Sequence, residues 1–586
     1  MYDESVSLFS KANDLVFKSK NKPSKELVNS CNYLGLKKGF AQEVMKATVV
    51  ITLISSIPSL ALFIIFRNIF FLLIPIIINH FYSEHYKNKY YIEKIKDFGY
   101  LPDFFSLLIT NLKINPNLES ALINSSSFDY GMSSAISKRI MKKINSGVDI
   151  NTKEEFSREF KVFNDSKINL CVNSIISAMS VKSSVKRNIL FSDSLNQLLG
   201  FMKNNAELFS RKIYTSVLMI FGIGTIIPLI LVSIFPLIGL INGRFISSYS
   251  LFFFLILSVF IVSFIVNDLK KKSPSKFSQI SFNSKIKGIN QVFLILIIAA
   301  FSTPSVILFF EKILNFRVNF FLREYSPFFF YASASVVLSI NYFLKNNVLV
   351  KEKRAVQRVE DSLIDSFMVI GTRINEGHSI ESSIKYSLDN SSEELREFFS
   401  KVYSRISRLG IDLRQAFDFS IVSAKIFSKR IKSMIDLLCY TVKKHSLSAG
   451  EAMIEMCDYY RKIKSVEFDM DNSLSKNTDM IKMTMSFFSP IVCALIITIS
   501  AVINSFLGSN NSMMFFSFSS LDVEMLGLLI SCYLLVLVFI LSDFYSFLKY
   551  GKDSVESEFE LSKSLIIAFL TFTATLIISQ VFLFEL

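Results

Sequence analysis

Nine runs of apolar residues, most of them close to the length of a membrane span, constrain this chain more than any other feature. A helix needs about 20 consecutive, mainly apolar residues to cross a bilayer. The runs cover residues 47–66, 69–81, 213–241, 249–266, 291–310, 327–344, 484–507, 525–548 and 564–584. The second run is short, so it either spans or forms a shallow re-entrant hairpin with the first. The pattern predicts a multi-pass membrane protein with about nine spans.

Charged residues are concentrated in two polar blocks between these runs. The chain holds 64 Lys and Arg against 49 Asp and Glu, a net charge of +15. We call residues 83–212 the first block and residues 345–482 the second block. In a membrane protein such an excess is typical of cytoplasmic loops and of contact with anionic headgroups. We therefore expect the lipid bilayer, and no nucleic acid, as a partner.

The distribution of lysine predicts the orientation in the membrane. Residues 268–288 contain six lysines, whereas residues 508–524 contain no Lys or Arg. Positive loops stay in the cytoplasm. With nine spans, both blocks and the N-terminus are then cytoplasmic, and the C-terminus lies outside.

The polar, lysine-containing start also predicts that no signal peptide is cleaved. The predicted order is a cytoplasmic segment (1–46), a membrane hairpin (47–82), the first block, four spans (213–344), the second block and three spans (483–586).

Both blocks have the periodicity of amphipathic helices. Apolar residues recur every three or four positions, which places them on one helix face. These residues are Phe98, Leu101, Phe105, Leu108 and Leu112 in the first block and Val359, Leu363, Phe367, Ile370 and Ile374 in the second. Neither block contains a convincing alternating strand pattern. The predicted fold class is all-α, with two helical-bundle domains on a membrane base.

The two blocks also resemble each other at an offset of 262 residues. Asp103, Phe105 and Thr110 match Asp365, Phe367 and Thr372, and Leu118-Glu119-Ser120 matches Ile380-Glu381-Ser382. After one inserted residue, Gly147 matches Gly410. A proline-containing apolar run follows each block. These matches predict an internal duplication of a domain with its membrane helix.

A glycine turn and a helix start in the second block, Asn375-Glu376-Gly377-His378-Ser379-Ile380-Glu381, complete the pattern. In the first block Asn115-Pro116 stands in place of the glycine. This layout resembles the F-domain family of type II secretion systems, the platform proteins of type IV pili, type II secretion and archaella. The length and the two domains are similar to the archaeal members. The resemblance implies a non-enzymatic platform, present as a homodimer, that couples pilin or archaellin subunits to a hexameric secretion ATPase.

Clusters of basic residues are the candidate docking sites for that ATPase. Lys138, Arg139, Lys142 and Lys143 have a spacing that crowds one helix face. The candidates in the second block are Arg405, Arg408, Lys429, Arg430 and Lys432. Such surfaces steer an acidic partner by long-range attraction. The alternative is a face that only meets water or headgroups.

The sequence gives less support to two alternative functions, a glycosyltransferase and a transporter or channel. Asp469 and Asp471 form an Asp-x-Asp pair, the spacing with which some glycosyltransferases hold a metal-bound nucleotide sugar. Carboxylates two residues apart do not share a helix face, however. A transporter or channel usually needs several ionisable groups at mid-depth, and Asp543 is the clearest one in a span. Because we find neither a phosphate-binding loop nor a nucleophile or metal motif, we expect no enzyme activity, metal or cofactor.

Overall fold

The structure, a computed structural model, describes residues 23–36, 39–66, 74–146, 151–228, 230–231, 234, 248–277, 326–391, 393–424, 428–443, 446–509 and 523–584. Within these ranges every regular element is a helix and no strand occurs. The all-α prediction is therefore confirmed. Gly147 and the apolar run at 291–310 lie outside the described residues.

The described residues of the first half form nine α-helices. They are α1 (Lys25–Tyr33), α2 (Phe40–Phe66), α3 (Ile74–Ile114), α4 (Leu118–Ser126), α5 (Met132–Asn145), α6 (Thr152–Phe160), α7 (Ser166–Met179), α8 (Ser184–Phe221) and α9 (Ser248–Lys272). Polar side chains cap the short helices α1, α4, α6 and α7, whereas α5 begins at Gly131 without such a cap. The Asn117 side chain, for example, accepts a hydrogen bond from the backbone N–H of Glu119 at 2.9 Å and so starts α4.

Nine more α-helices lie in the described part of the second half. They are α10 (Ser326–Asn375), α11 (Ile380–Asn390), α12 (Glu393–Leu409), α13 (Leu413–Ala424), α14 (Lys429–Val442), α15 (Ser446–Met483), α16 (Ser489–Ser509), α17 (Val523–Tyr550) and α18 (Ser554–Phe584). Helix α10 ends where Gly377 adopts a left-handed φ of +92°. A glycine tolerates this conformation without steric cost, which is why it closes helices.

Four described helices are long and apolar enough to cross a membrane. They cover Phe40–Leu60, Ser448–Val502, Leu526–Tyr550 and Ser554–Ser579. The chain thus has the helices of a membrane protein, but four candidate spans are found where we expected nine. Part of the difference lies in the second run, because α3 begins within it and continues for 41 residues through the polar start of the first block. The runs at 249–266 and 327–344 fall on α9 and α10. At the start of both helices the side chains are not among those that the structure describes.

The described residues pack into two main apolar cores. The first unites both polar blocks, and it includes Phe105 and Phe160 of the first with Phe367 and Phe399 of the second. We expected two separate bundles, yet their buried faces form one continuous cluster. The other core joins α8 and α9 to α10 and α15–α18.

Helices α10 and α18 lie side by side in opposite directions. The ring centroids of Tyr331 and Phe572 are 4.9 Å apart, and the Ser339 hydroxyl donates to the Ser562 carbonyl at 2.6 Å. Further along α10, Lys353 pairs with Asp553 at the turn before α18. These contacts place the α17–α18 turn beside the polar part of α10.

Helices α8 and α15 both end in a π-turn. The turns are Gly222–Ile226 and Thr484–Phe488, and a proline follows each, Pro228 and Pro490. Proline has no N–H, so it removes one hydrogen bond from an α-helix and its ring crowds the preceding turn. A π-turn widens the helix locally and is a recognised cause of bending.

The carbonyl groups that the prolines leave without a donor find partners on neighbouring helices. In a regular α-helix the Gly224 and Ser486 carbonyls would accept from residues 228 and 490. Instead, the Tyr533 hydroxyl of α17 donates to the Gly224 carbonyl. The Thr571 hydroxyl of α18 donates to the Ser486 carbonyl at 2.9 Å. Each of these two carbonyls thus has a hydroxyl donor on a neighbouring helix, as suits an apolar environment, and the Thr571 hydroxyl is also 3.0 Å from the Ile567 and Ala568 carbonyls of its own helix.

Candidate functional site

A buried arginine joins the two polar blocks. Arg430 is the second residue of α14, which Ser428 caps by accepting from the Ile431 N–H at 3.4 Å. Its Nε lies 3.0 Å from Oδ1 of Asp103 in the first block. Its Nη1 lies 3.7 Å from Oε1 of Glu360 in the second. The side chains of all three are at most 9% exposed, so the network is shielded from water.

Opposing electrostatic effects act on this network. Burial raises the pKa of Asp103, and the charge of Arg430 opposes that rise. The same two effects act on Glu360, whose pKa is also raised. Burial alone would lower the pKa of Arg430, but Asp103 and Glu360 raise it above its ordinary value. Arg430 therefore stays charged, and each carboxylate depends on it for compensation.

A third carboxylate, that of Glu467 on α15, belongs to the same region. Burial raises the pKa of Glu467 to about 7, although Arg430 lowers it and Asp471 adds to the rise. Tyr460, about two helical turns earlier, places its ring 5.7 Å from the Arg430 guanidinium carbon. The Tyr460 and Ser433 hydroxyls are 2.9 Å apart. The arginine is thus held by carboxylates on one side and an aromatic ring on another.

A second polar cluster joins the blocks at the start of α8. Lys113 pairs with Glu455 of α15 and donates to the Ser192 hydroxyl at 2.7 Å. The Ser192 hydroxyl is also 3.2 Å from that of Tyr459. Tyr459 in turn donates to Glu455 at 2.9 Å. Each polar group in this cluster has a partner from the other block or from its own helix.

Contacts between α8 and α15 continue towards the membrane helices. Lys203 donates to Asp469 at 2.7 Å, and Ser210 donates to the Ser473 carbonyl. The Asn477 amide donates to the Ser210 carbonyl at 2.9 Å. Residue numbers increase together on both helices, so α8 and α15 run parallel. The two blocks are held as one body along this seam.

Of the four basic candidates on α5, two are exposed without an ion pair and two are paired with a carboxylate of α6. Lys138 and Lys142 are exposed, and neither forms an ion pair with another described residue. Arg139 lies 3.6 Å from Glu159 of α6. Lys143 pairs with the same carboxylate at 2.7 Å. Of the four cations predicted to dock a partner, only Lys138 and Lys142 are therefore not already paired with a described carboxylate.

In the second block, Lys429 and Arg430 face the first block. The Lys429 ammonium donates to the Asp129 carbonyl at 2.7 Å and lies 4.6 Å from the centroid of the Tyr100 ring. Arg430 is buried. We interpreted both as surface residues because their neighbours in sequence are basic, but spacing does not report what lies opposite a helix. Arg430 is not available to an outside partner in this structure.

The other three candidates lie nearer to solvent. Arg408 and Lys432 are exposed. Arg405 is half-buried and donates to the Ser420 hydroxyl at 2.8 Å. Of the five candidates in the second block, those nearer to solvent are therefore divided between α12 and α14.

The Asp-x-Asp pair has structural partners. Asp469 is held by Lys203 of α8, and Asp471 pairs with Lys276 after α9. Among the described residues no group of three or more His, Cys, Asp or Glu is arranged to hold a metal ion. Each of the two carboxylates thus has a lysine partner, and the two lysines come from different parts of the chain. Their arrangement does not resemble a shared metal site.

Sequence reasoning missed Asp103 and Glu360 as partners of Arg430. One signal was present for Asp103, because it interrupts the apolar stripe between Leu101 and Phe105. A carboxylate inside such a stripe is buried with the stripe and needs a cation. Nothing in the sequence identified which of the many Lys and Arg residues provides it.

The fold and this site define a class, a helical protein with four candidate membrane spans whose two polar blocks share a core and a buried arginine. Comparison with known proteins does not narrow the class. No protein-family model matches the chain, and searches of curated proteins and of solved structures found no significant match.

Proposed function

We propose that this chain is a non-enzymatic platform protein of a type IV pilus-like or archaellum assembly machine. In that role it anchors the filament in the cell membrane, receives pilin or archaellin subunits and couples them to a hexameric secretion ATPase below. The proposal comes from the resemblance to the F-domain family. One observation carries it further, namely that the helical pattern repeats along the chain at a nearly constant interval.

Helix boundaries support the duplication that this family resemblance requires. Helices α4 and α11 begin 262 residues apart, at Leu118 and Ile380. Helices α8 and α15 start and end 262 residues apart, and so do their π-turns. Pro228 and Pro490 follow at the same interval. A repeat that includes an unusual feature such as a π-turn is hard to attribute to helical composition alone.

Packing supports one part of the proposed orientation, in which the N-terminus is inside and the C-terminus outside. Lys345 pairs with Glu558 at 2.7 Å, and Lys552 pairs with Glu93 at 2.6 Å. These contacts hold the α17–α18 turn against the polar blocks. Helix α18 leads away from them, so its far end lies on the opposite side of the apolar helices. That geometry favours a C-terminus outside if the blocks are cytoplasmic.

Lys138 and Lys142 are the residues best placed to dock the ATPase. We predict that Lys138→Glu with Lys142→Glu, in the full-length protein, weakens co-purification of the ATPase from host membranes about tenfold. The loss should shrink with added salt, because the Debye length is already about 8 Å at physiological ionic strength.

The matched control is Lys182→Glu with Lys186→Glu. It makes the same charge change at two other exposed lysines of the first block. If both double variants retain the ATPase equally at every salt concentration, this face does not dock the motor. If the wild-type protein retains neither a secretion ATPase nor pilin-like subunits, the platform function itself is wrong.

A further inference from the structure

A cavity of about 410 Å³ lies between α3, α8 and the end of α9. Most of its wall is apolar and includes Phe98, Phe201, Leu208 and Leu269. None of the sixteen residues that line it is Asp or Glu, whereas four are lysines. An apolar wall with cations and no carboxylate fits an amphipathic anion.

Two of the four lysines are already paired. Lys271 donates to Glu84 at 2.5 Å, and Lys272 donates to Asp268 at 2.5 Å. The other two, Lys94 and Lys212, form no ion pair with a described residue. They are the charges that an occupant would have to neutralise.

Lys94 is the more unusual of these two. It is half-buried, and its ammonium lies 5.6 Å from the centroid of the Phe98 ring. Burial lowers its pKa, and the more distant charge of Asp165 only partly opposes that effect. A bound anion would stabilise this ammonium, which has lost hydration without gaining a carboxylate.

The cavity lies where apolar helices meet the polar blocks. Lys212 immediately precedes the apolar run that begins at Ile213 on α8. Leu269 and Lys271 follow the apolar part of α9. A lipid headgroup occupies this level, with its phosphate near the polar boundary and its chains towards the apolar helices.

We propose that this cavity binds the headgroup of an anionic phospholipid, with Lys94 and Lys212 as the ligands of its phosphate. The apolar wall takes the glycerol backbone and the first part of the acyl chains. A zwitterionic lipid brings its own cation and leaves the two lysines poorly compensated. A small soluble phosphate ester would leave the apolar wall empty.

The absence of tryptophan from the chain makes a direct test possible. Leu208→Trp places a single indole on the cavity wall, at a side chain that is 55% exposed. Leu170→Trp is a control on α7, at a side chain that is 53% exposed and outside the cavity lining. The full-length protein in detergent is titrated with lipids brominated on their acyl chains, which quench a nearby indole. We expect the anionic lipid to quench Leu208→Trp at about tenfold lower concentration than the zwitterionic lipid, and Leu170→Trp to show no such preference.

Charge variants then assign the preference to the two lysines. In the Leu208→Trp background, Lys94→Gln with Lys212→Gln should abolish it. Lys94→Arg with Lys212→Arg should retain it, and so should the exposed pair Lys182→Gln with Lys186→Gln. Equal quenching by both lipids in the starting protein would overturn the proposal. Relief of quenching by millimolar glycerol phosphate would also overturn it, because the site would then belong to a soluble anion.

Discussion

At the scale of single residues, Arg430 decides how the two polar blocks fit together. It is one charge facing two buried carboxylates from different parts of the chain, Asp103 and Glu360. Such a network adds little net stability compared with an apolar contact, because desolvation of the charges offsets their attraction. Its value lies in specificity, since any other register of the blocks would leave a charge buried and unpaired.

We predict that Arg430→Met destabilises the protein by about 3–5 kcal/mol, because it leaves Asp103 and Glu360 buried without a cation. Adding Asp103→Asn and Glu360→Gln should recover most of this loss. Thermal unfolding of the purified protein in detergent measures both effects. Lys432→Met, at an exposed position of the same helix, is the control and should change little. A triple variant as unstable as the single one would show that packing of Arg430, rather than charge, is what matters.

Glu467 makes a separate prediction about pH. Its pKa is raised from near 4.5 to about 7 in the folded protein, mainly by burial. Between these pH values the folded state binds the proton more tightly than the unfolded chain. The free energy of unfolding should therefore fall as the pH rises from about 4.5 to about 7.

Glu467→Gln should reduce this slope and stabilise the protein at pH 8 by on the order of 2 kcal/mol, while the raised pKa values of Asp103 and Glu360 keep a slope of the same sign. Unfolding midpoints at a series of pH values report it. Glu451→Gln, which removes an exposed carboxylate from the same helix, should keep the wild-type slope. The assignment to Glu467 fails if both variants follow the wild type.

At the scale of helices, sequence periodicity and turn chemistry anticipated much of the structure. The apolar stripe of Phe105, Leu108 and Leu112 is buried on α3, as the three-and-four spacing predicts. The turn at Gly377 ends α10 as predicted. The helix ends near the junction of apolar and polar segments were harder to predict from sequence, because one helix passes through both segments. Helix α15 leads through its π-turn into α16, so composition changes where the helix does not end.

The proline breaks of α8 and α15 allow an element-level prediction. Thr571→Val removes the donor to the Ser486 carbonyl and should cost about 0.5–1.5 kcal/mol. In a Pro490→Ala background the same change should cost less, because the alanine N–H can donate to that carbonyl. Thr573→Val is the control, since the Thr573 hydroxyl bonds within its own helix to the Leu570 carbonyl at 3.0 Å.

A double-mutant cycle of Thr571→Val and Pro490→Ala gives the coupling energy. If the two changes are additive, the hydroxyl does not compensate for the missing N–H, and the contact is incidental.

At the scale of the whole molecule, the two polar blocks are packed together as one unit. They share an apolar core, and Arg430, Lys113 and Lys203 pair across the boundary between them. This union could not be predicted from sequence. Periodicity indicates which face of a helix is buried, but not whether the face opposite belongs to the same block or to the other. For the same reason, basic spacing in the sequence did not distinguish exposed cations from those paired within the fold, such as Lys143 and Arg430.

We predict that residues 83–212, expressed alone, do not form a stable monomer, because half of the shared core would face water. Co-expression with residues 345–482 should give a soluble one-to-one complex. Size-exclusion chromatography with light scattering distinguishes the two results. A monomeric first block with a cooperative unfolding transition would contradict the shared core.

The hydroxyl groups that close the two proline breaks have a mechanical consequence. Tyr533 reaches the break in α8 and Thr571 the break in α15, and the helices that carry them, α17 and α18, form a single hairpin. That hairpin therefore connects the two bent helices, with one hydroxyl hydrogen bond to each of them. We therefore expect a change in the tilt of α8 to reach α15 through the α17–α18 hairpin, in addition to the direct contacts of Lys203 with Asp469 and of Ser210 with Ser473.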